Sequence, residues 1–337
     1  MDLPDFLREV NLSRYNPELT AGFYESYFIR ANHPEKPLAF WLRYTLFCPR
    51  EQPEEAVGEL WGVWFDGETG RHAVVKKTVP ITNCEFSPAR FHVRIGEAAL
   101  EPGSVQGTAA SGGHHMTWRL EYRGQESPLL LLPLKWYTGK FPRAKSLVGL
   151  PLARFDGFLA VDDKRYEITG WTGSQNHNWG TRHTDDYAWG QVAGFDTHPE
   201  SFLEAATACL RWHSLRTPYV TPLVLRHRGE EFALNTFFRI CDSRGSFSHF
   251  TWVFRAETRG LLIDGTIAAP RNAFVGLAYR NPPGGVKHCL NTKIASCEVR
   301  FEDRREKKVK REVLFTKNRA AFEILTDDQD HGVPMLA

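Results

Sequence analysis

Hydrophobic and polar residues alternate with a period of two along most of the chain, and glycine-containing turns separate the alternating segments. This period places side chains on opposite faces of a strand and indicates antiparallel β structure. Helical patterns are few: residues 4–10 and 319–325 are candidates for short terminal helices, and the alanines of 201–212 leave that segment ambiguous. Strands are predicted most clearly over residues 23–30, 39–47, 60–65, 115–122, 187–195, 234–240, 250–256, 261–267 and 290–301.

A short stretch occurs twice, about half the chain apart. The tripeptide His-Pro-Glu at 33–35 and again at 198–200 follows one predicted strand and precedes another apolar segment. If both halves open with a strand, this turn and a second strand, residues 202–212 form a strand. The alternation predicts an all-β chain. Its length of 337 residues favours two antiparallel barrel or sandwich domains, 1–184 and 185–337, with a single large barrel as the alternative.

Two predicted strands break the simple alternation. Glu25 shares its face with Tyr27 and Ile29, which predicts a buried carboxylate that is paired or protonated. In 187–195, one face carries Tyr187, Trp189 and Gln191, whereas the other carries only small residues and valine. The large face is expected to line a cavity, or else to pack on a neighbouring sheet with Gln191 bonded to a loop backbone.

The segment 170–180, GWTGSQNHNWG, has the most unusual composition in the chain. Its glycines suggest tight backbone, and its indoles can anchor that backbone. Its polar side chains need partners if they are buried. Two interpretations remain open and are compatible: a polar cluster that joins two β domains, or the lining of a ligand cavity at the junction. The candidate ligand-binding residues are Trp171, Gln175, Asn176, Asn178 and Trp179, with His177 between them.

Charge and composition exclude little. The net charge is +2, and 24% charged with 42% hydrophobic residues is an ordinary globular composition. The basic run 304–311 is interrupted by Glu306 and is predicted to be a solvated hairpin tip; the alternative is a patch for nucleic acid or lipid headgroups. We therefore expect no nucleic-acid partner.

No apolar run approaches the roughly 20 residues that cross a bilayer, and the N-terminus does not resemble a secretory signal. The expected location is cytoplasmic, without stable membrane insertion. The six cysteines form no C-x-x-C pair and are predicted to be buried thiols. Exposed edge strands are compatible with a homodimer, although nothing in the sequence requires one.

Several familiar chemical motifs are absent from the sequence. It contains no phosphate loop, no dinucleotide-binding G-x-G-x-x-G after a strand, no H-E-x-x-H and no G-x-S-x-G. The pairs His114-His115 and His177 with His183 lack a third ligand at standard spacing, so no metal is predicted. No dissociable cofactor is expected either.

The segments N-H-N-W-G at 176–180 and Y-A-W-G-Q at 187–191 resemble the lipocalin-like superfamily. That superfamily includes AttH-like proteins and carotenoid 1,2-hydratase (hydroxyneurosporene synthase), with tocopherol cyclase and fungal Diels-Alderases as more remote members. The aromatic strand 23–30 and the segments 281–285 and 289–293 add to the likeness. The resemblance implies two consecutive lipocalin-like domains and an apolar ligand, isoprenoid, polyene or lipid-like.

Alkene hydration or cyclisation, which the resemblance implies, needs a protonated acid and aromatic faces beside a developing cation. The candidate acids are Glu25, Asp185 and Asp186, with His177 as an orienting or relay group. Trp171, Trp179, Tyr187 and Trp189 would supply the rings, and Asn178 and Gln191 would hold the polar end of the ligand.

Two functional hypotheses follow from these features. The first is a protein that binds an apolar small molecule near the domain junction and hydrates, isomerises or cyclises it. The second is a non-catalytic lipid or isoprenoid carrier. Catalysis predicts a carboxylate or His177 in the cavity, whereas a carrier predicts an almost wholly apolar lining. A scaffold without a pocket is a third possibility.

Overall fold

The computed structural model describes residues 2–209, 211–212 and 215–337. Two large antiparallel sheets dominate the structure, with 59% of the residues in strands and 8% in helices, which confirms the predicted all-β class. Helix α1 agrees with the predicted helix at 4–10 and begins where the Asp2 carboxylate accepts from the Asp5 N–H at 2.9 Å. No helix in the described ranges has the length and apolar character to span a bilayer. The helices are α1 (Leu3–Arg8), α2 (Leu134–Thr138) and α3 (Phe237–Asp242), with 3₁₀ turns at Pro53–Glu55, Ile81–Asn83 and Arg271–Ala273.

The first sheet contains twelve strands. They are β1 (Phe23–Asn32), β2 (Leu38–Cys48), β3 (Val57–Asp66), β4 (Ala73–Pro80), β5 (Cys84–Phe86), β6 (Val93–Ile95), β7 (Ala98–Glu101), β8 (Ser104–Ser111), β9 (His114–Arg123), β10 (Leu129–Leu130), β11 (Ala144–Val161) and β12 (Lys164–Gly180). Their order is β4-β3-β2-β1-β12-β11-β9-β8-β7-β6-β5, with β10 beside β11. The sheet curves until β4 meets β8, where the Lys76 N–H donates to the Ser111 hydroxyl at 2.8 Å. It thus forms a nearly closed barrel around its own core.

The second sheet contains ten strands. The strands of the second half are β13 (Asp186–Ala193), β14 (Phe202–Cys209), β15 (Arg211–Trp212), β16 (Leu215–Arg216), β17 (Leu223–His227), β18 (Glu230–Leu234), β19 (Arg244–Ser248), β20 (Thr251–Thr258), β21 (Leu261–Ala268), β22 (Val275–Arg280), β23 (Val286–Asp303) and β24 (Lys310–Thr326). The sheet order is β18-β17-β14-β13-β24-β23-β21-β20-β19, with β22 beside β23, while β15 and β16 form a separate hairpin. A second buried core lies against this sheet.

The two sheets repeat one strand order, which supports the predicted internal repeat. In the first half β1 pairs with β12, and β12 forms a long hairpin with β11. In the second half β13 pairs with β24 in the same way, and β24 forms a long hairpin with β23. Both His-Pro-Glu turns join the first strand of their sheet to the second. The predicted strand at 202–212 is confirmed for β14; Leu210 lies outside the described residues. The predicted domain boundary at 184/185 falls between β12 and β13, and the division into two domains remains a prediction.

The sheets contact each other through their central strands. On β1, Tyr27 and Ile29 face the first core, whereas Phe28 packs edge-on against Trp189 of β13 at 6.1 Å. Because both faces of β1 are covered, all ten of its residues are buried. Any polar side chain on these strands therefore needs a partner inside the protein.

Two element predictions are wrong. Residues 319–325 belong to strand β24, where Phe322 faces the second core and Leu325 faces the first sheet. Burial on both faces removes the alternation that normally marks a strand. Residues 234–240 are not a strand, because β18 ends at Leu234 and α3 follows, with Phe238 exposed to solvent.

The predictions from composition are mostly confirmed. The basic run 304–311 spans an exposed turn between β23 and β24, where Lys310 pairs with Glu306 at 3.0 Å. All six cysteines are free. Four of them are buried as predicted. Cys84 is half-buried because it lies in the edge strand β5, and Cys241 is exposed because it lies in the short helix α3.

Candidate functional site

A cavity of about 480 Å³ lies between the two sheets. Its walls come from β1, β2, α2, β11, β12, β13, β14, α3, β22 and β24, and from the segments next to them. Most of its large side chains are aromatic: Tyr24, Phe28, Trp41, Trp136, Phe141, Tyr187, Trp189, Phe237 and Tyr279. The volume is in the range of small-molecule sites, which span about 300–1,000 Å³. The two sheets together thus form a pocket that neither has alone.

Strand β2 brings two hydrogen-bond donors to this cavity. Trp41 and Arg43 are two residues apart, so they project from the same face of the strand. The Arg43 guanidinium lies over the Tyr279 ring at 4.5 Å, and its Nη2 donates to the Ser26 hydroxyl at 2.6 Å. Within the described residues, neither Trp41 Nε1 nor Arg43 Nε has an acceptor, although both atoms are buried. Buried donors without partners are costly, so an acceptor atom of a ligand that reached them would be favoured.

Glu323 of β24 places a carboxylate on the opposite sheet's wall of the cavity. Its Oε1 accepts from Lys293 Nζ at 2.7 Å and from Asn291 Nδ2 at 2.8 Å. Lys293 is fully buried, and desolvation lowers the pKa of its ammonium group. The cavity therefore contains a carboxylate that is oriented by two donors and lies among aromatic side chains.

His183 forms a third polar group of the lining. Its ring packs at a tilt against Tyr24 with centroids 4.1 Å apart, and its Nε2 lies 3.1 Å from the Arg280 carbonyl oxygen. Burial, followed by the nearby Arg43 charge, lowers the pKa of His183 to about 3. The imidazole is consequently neutral near pH 7 and must donate its Nε2 proton to that carbonyl.

A polar network beside the cavity joins the sheets. Gln191 is at its centre: its Oε1 accepts from Arg30 Nε at 2.8 Å and from the Ser174 hydroxyl at 2.6 Å. Its Nε2 donates to Asn176 Oδ1 and Glu204 Oε2, both at 2.8 Å. These bonds connect β1 and β12 with β13 and β14. Ser174, Asn176 and Gln191 therefore form the polar cluster at the sheet junction that was one of the two interpretations of the central motif.

Glu204 makes the stability of this junction depend on pH. Burial raises the pKa of Glu204 from 4.5 to about 7, against the hydrogen bonds from Trp189 and Gln191. The folded protein therefore holds this proton more tightly than the unfolded chain. The stabilisation from protonated Glu204 is complete below about pH 4.5 and is lost as the pH rises through about 7. The loss in unfolding free energy is about 3 kcal/mol.

We expect urea denaturation of the wild-type protein to show this loss between about pH 5 and about pH 8. In the Glu204→Gln variant that part of the pH slope should disappear, whatever the variant's absolute stability. Equal slopes in the two proteins would contradict the assignment.

A second buried polar pair, Glu25 with His177, lies in the core of the first sheet. Glu25 Oε1 is 2.9 Å from His177 Nε2 and also accepts from the Arg14 N–H at 2.7 Å; both pair members are fully buried. His177 Nδ1 lies 2.6 Å from the Val10 carbonyl oxygen and must donate to it. One proton is therefore held between imidazole and carboxylate. Glu25 is buried and paired, as the alternation predicted, but neither side chain lines the cavity.

Comparison with other proteins gives the fold a context. No family model matches this chain. Two Mycobacterium tuberculosis proteins, MT0513 and Rv0493c, are each 25% identical over 292 residues, which is 84% of this chain and 83% of theirs. The structure of NE1406 from Nitrosomonas europaea, described as an AttH, superimposes with a TM-score of 0.59 over 97% of this chain and 96% of its own, at 11% identity. The chain has the AttH fold.

CghA is a further structural neighbour. Its structure with Sch210972 gives a TM-score of 0.51 at 10% identity, and its structure alone gives 0.53 at 9% identity. Each covers 91% of this chain and 88% of CghA. The predicted resemblance to AttH-like proteins and fungal Diels-Alderases is thus confirmed for the fold.

Within this AttH fold, only some of the predicted site residues meet at the cavity. Asn178, Tyr187 and Trp189 line it, as do the unpredicted Trp41, Arg43, His183, Tyr279 and Glu323. Trp171 instead packs on Phe40 in the first core, at 5.9 Å. Trp179 packs at a tilt against His177 at 4.7 Å, and Gln175 bonds to Asn11. From Trp171 onward the alternation of β12 explains this division, since odd-numbered residues face the interior of the first sheet and even-numbered residues face the second sheet.

The two predicted aspartates lie outside the cavity lining. Asp185 forms an ion pair with Arg182, and its carbonyl oxygen accepts from Lys287 Nζ at 3.0 Å. Asp186 accepts from the Tyr219 hydroxyl at 2.7 Å. The carboxylate in the cavity is Glu323, which sequence reasoning missed because 319–325 resembled a helix.

Proposed function

We propose that this protein binds an apolar small molecule of the isoprenoid, polyene or lipid-like class in the cavity between the two sheets. The observation that carries the proposal is the combination of about 480 Å³ of aromatic-lined space with two buried donors that have no partner among the described residues. Binding sites for small molecules typically pair an apolar surface with a few oriented polar groups.

The two parts of the lining suggest how the ligand is oriented. Phe28, Trp136 and Trp189 offer ring faces to its apolar body. A carbonyl or hydroxyl oxygen of the ligand beside Trp41 and Arg43 would accept from Trp41 Nε1 and Arg43 Nε, which restores the hydrogen bonds that these buried donors lack. The CghA structure with Sch210972 supports the view that this fold accommodates a small molecule.

Conversion of the ligand is the second candidate function, and the polar lining favours it over simple carriage. Arg43 and Trp41 would stabilise negative charge that develops on a ligand oxygen during isomerisation or cyclisation. Glu323 and neutral His183 are further polar groups at the wall. An almost wholly apolar lining would instead favour a carrier.

Filling the cavity tests the proposal. Ala208 lines the cavity, so the Ala208→Phe variant places a phenyl ring inside it. The matched control is Ala233→Phe, on β18 of the same sheet, where the side chain is exposed. We expect an organic extract of wild-type protein from its native host to contain a specific apolar molecule by mass spectrometry. At least about tenfold less of it should remain with Ala208→Phe, and an unchanged amount with Ala233→Phe.

A fluorescent apolar probe such as anilinonaphthalene sulfonate gives an independent readout if the ligand is lost on purification. Equal probe binding by wild type and Ala208→Phe would sink the proposal. With a ligand in hand, Trp41→Phe, which keeps the ring and removes the donor, should lower the rate of any conversion by about 100-fold. A carrier would show no conversion in either protein.

A further inference from the structure

Three side chains outside the cavity converge on one point at the edge of the second sheet. They are His198 in the second His-Pro-Glu turn, His227 at the end of β17, and Glu312 on β24. Their ligand atoms all lie within 4.8 Å of one another. The cluster shares no residue with the cavity lining, so it can be judged separately from the function proposed above.

The spacing within the cluster is that of metal ligands. His198 Nε2 and His227 Nε2 are each 3.3 Å from Glu312 Oε2. This distance is long for a hydrogen bond to a carboxylate, which is usually about 2.7–2.9 Å. It equals the edge of a tetrahedron, about 3.3 Å, around a zinc ion with ligand bonds of about 2.0–2.1 Å.

Both imidazoles are already oriented as metal ligands would be. His227 Nδ1 lies 2.8 Å from the Ser201 hydroxyl, and His198 Nδ1 lies 2.9 Å from the Thr197 hydroxyl. A hydroxyl that accepts the Nδ1 proton leaves Nε2 as the unprotonated, ligating atom, which is the usual outer contact of a metal-bound histidine. The Thr197 hydroxyl is itself held by the Phe315 N–H at 2.9 Å.

Burial makes the cluster rigid on one side and open on the other. His227 is fully buried and packs its ring on Phe301 at 5.2 Å, whereas the side chain of His198 is 23% exposed. Glu312 Oε1 is buried and, within the described residues, has no hydrogen-bond partner.

We propose that His198, His227 and Glu312 bind a divalent transition-metal ion of the zinc type, with solvent at the remaining position. Two imidazoles and one carboxylate suit zinc and its neighbours rather than calcium or magnesium. Such an ion would cross-link the turn after β13, the end of β17 and the start of β24. The proposal departs from the sequence-based expectation of no metal, because its ligands come from three separate segments.

Arg228 provides a sharp test because it competes with the ion. Its Nη2 lies 2.8 Å from Glu312 Oε2, and its side chain is 57% exposed, so it must move aside when a cation binds. Removing it should therefore tighten zinc binding, whereas removing a ligand should abolish binding. A damaged fold would not produce a gain, so Arg228→Ala separates the proposal from simple unfolding.

The experiment is titration of chelator-treated protein with Zn²⁺ alone by calorimetry, with Co²⁺ absorption to report tetrahedral coordination. We expect one ion per chain in the wild type, about tenfold tighter binding in Arg228→Ala, and none in His198→Ala or Glu312→Gln. The control is His33→Ala in the equivalent first turn, where His33 Nδ1 accepts from the Glu35 and Lys36 N–H groups. That variant should bind as the wild type does.

Zinc that remains bound at full strength in both His198→Ala and Glu312→Gln would overturn the assignment. So would failure of wild type and Arg228→Ala alike to bind the ion at millimolar concentration. Circular dichroism of each variant shows whether the sheets are intact.

Discussion

The Gly173→Ala variant is expected to lose about 4 kcal/mol of unfolding free energy, a severe effect for the addition of one methyl group. Gly173 lies opposite Ala31 in the pairing of β12 with β1. A Cβ at this position would lie far inside van der Waals contact of the Arg30 carbonyl oxygen and 2.7 Å from the Ala31 Cα. Since these atoms are backbone, no side chain can rotate away, and the strands must separate. Urea denaturation monitored by tryptophan fluorescence measures the loss.

Gly170→Ala is the matched control in the same segment. Gly170 has a φ of +61°, but an added Cβ there meets no atom within 4 Å. Its cost is only that of a left-handed backbone for alanine, about 1 kcal/mol. If both variants lost the same stability, the close approach of β1 and β12 at Gly173 would not be the cause.

Replacement of Arg30 by methionine is expected to have a similarly large effect, about 4 kcal/mol. Arg30 is fully buried, and desolvation lowers the pKa of its guanidinium to about 9. Its donors reach Gln191 of the other sheet and Asn32 Oδ1 beside it, the latter at 2.8 Å. Methionine fills similar space, but it removes the Arg30 bond to Asn32 Oδ1 and leaves Gln191 Oε1 with only the Ser174 hydroxyl. Buried polar groups that lose their partners are strongly destabilising.

The control for this prediction is Arg154→Met on β11. Arg154 is exposed and donates to the Gly170 carbonyl oxygen at 3.2 Å, so its replacement should change stability by less than about 0.5 kcal/mol. The two unfolding midpoints in urea decide the comparison. A loss below 1 kcal/mol in Arg30→Met, about that of an ordinary surface bond, would mean that the junction network adds little to the contact between the sheets.

The strand pattern of the outer sheet regions could be predicted because each strand there has one buried and one solvent face. Strand β20, with Trp252, Phe254 and Ala256 buried and the intervening residues exposed, shows this directly. The prediction failed at β24, where residues 319–325 are covered on both sides and the alternation vanishes. The error hid Glu323, the carboxylate of the cavity.

The candidate site was partly predictable by the same reasoning. Gln191, an amide among rings, is buried at the junction, and its neighbours Tyr187 and Trp189 reach the cavity. Glu25 drew attention because a charged residue within an apolar strand must be buried. The same reasoning applies to Arg43 in strand β2 and would have identified this hydrogen-bond donor of the cavity wall. Its partner Trp41 carries no such signal, because an indole is common in any core.

The sequence by itself determined the all-β class, the repeated strand–turn–strand opening of both halves, and the burial of Glu25, because periodicity and forced burial are local properties. Only the tertiary structure decided which face of each central strand meets the cavity, since β1 and β12 are buried on both sides and periodicity cannot distinguish one interior from another. It also decided that Trp41, His183 and Glu323 line the same cavity. In the same way it placed the side chains of His198, His227 and Glu312 in contact with one another. Those groups are brought together by sheet pairing between distant segments, and no local pattern of residues encodes that distance.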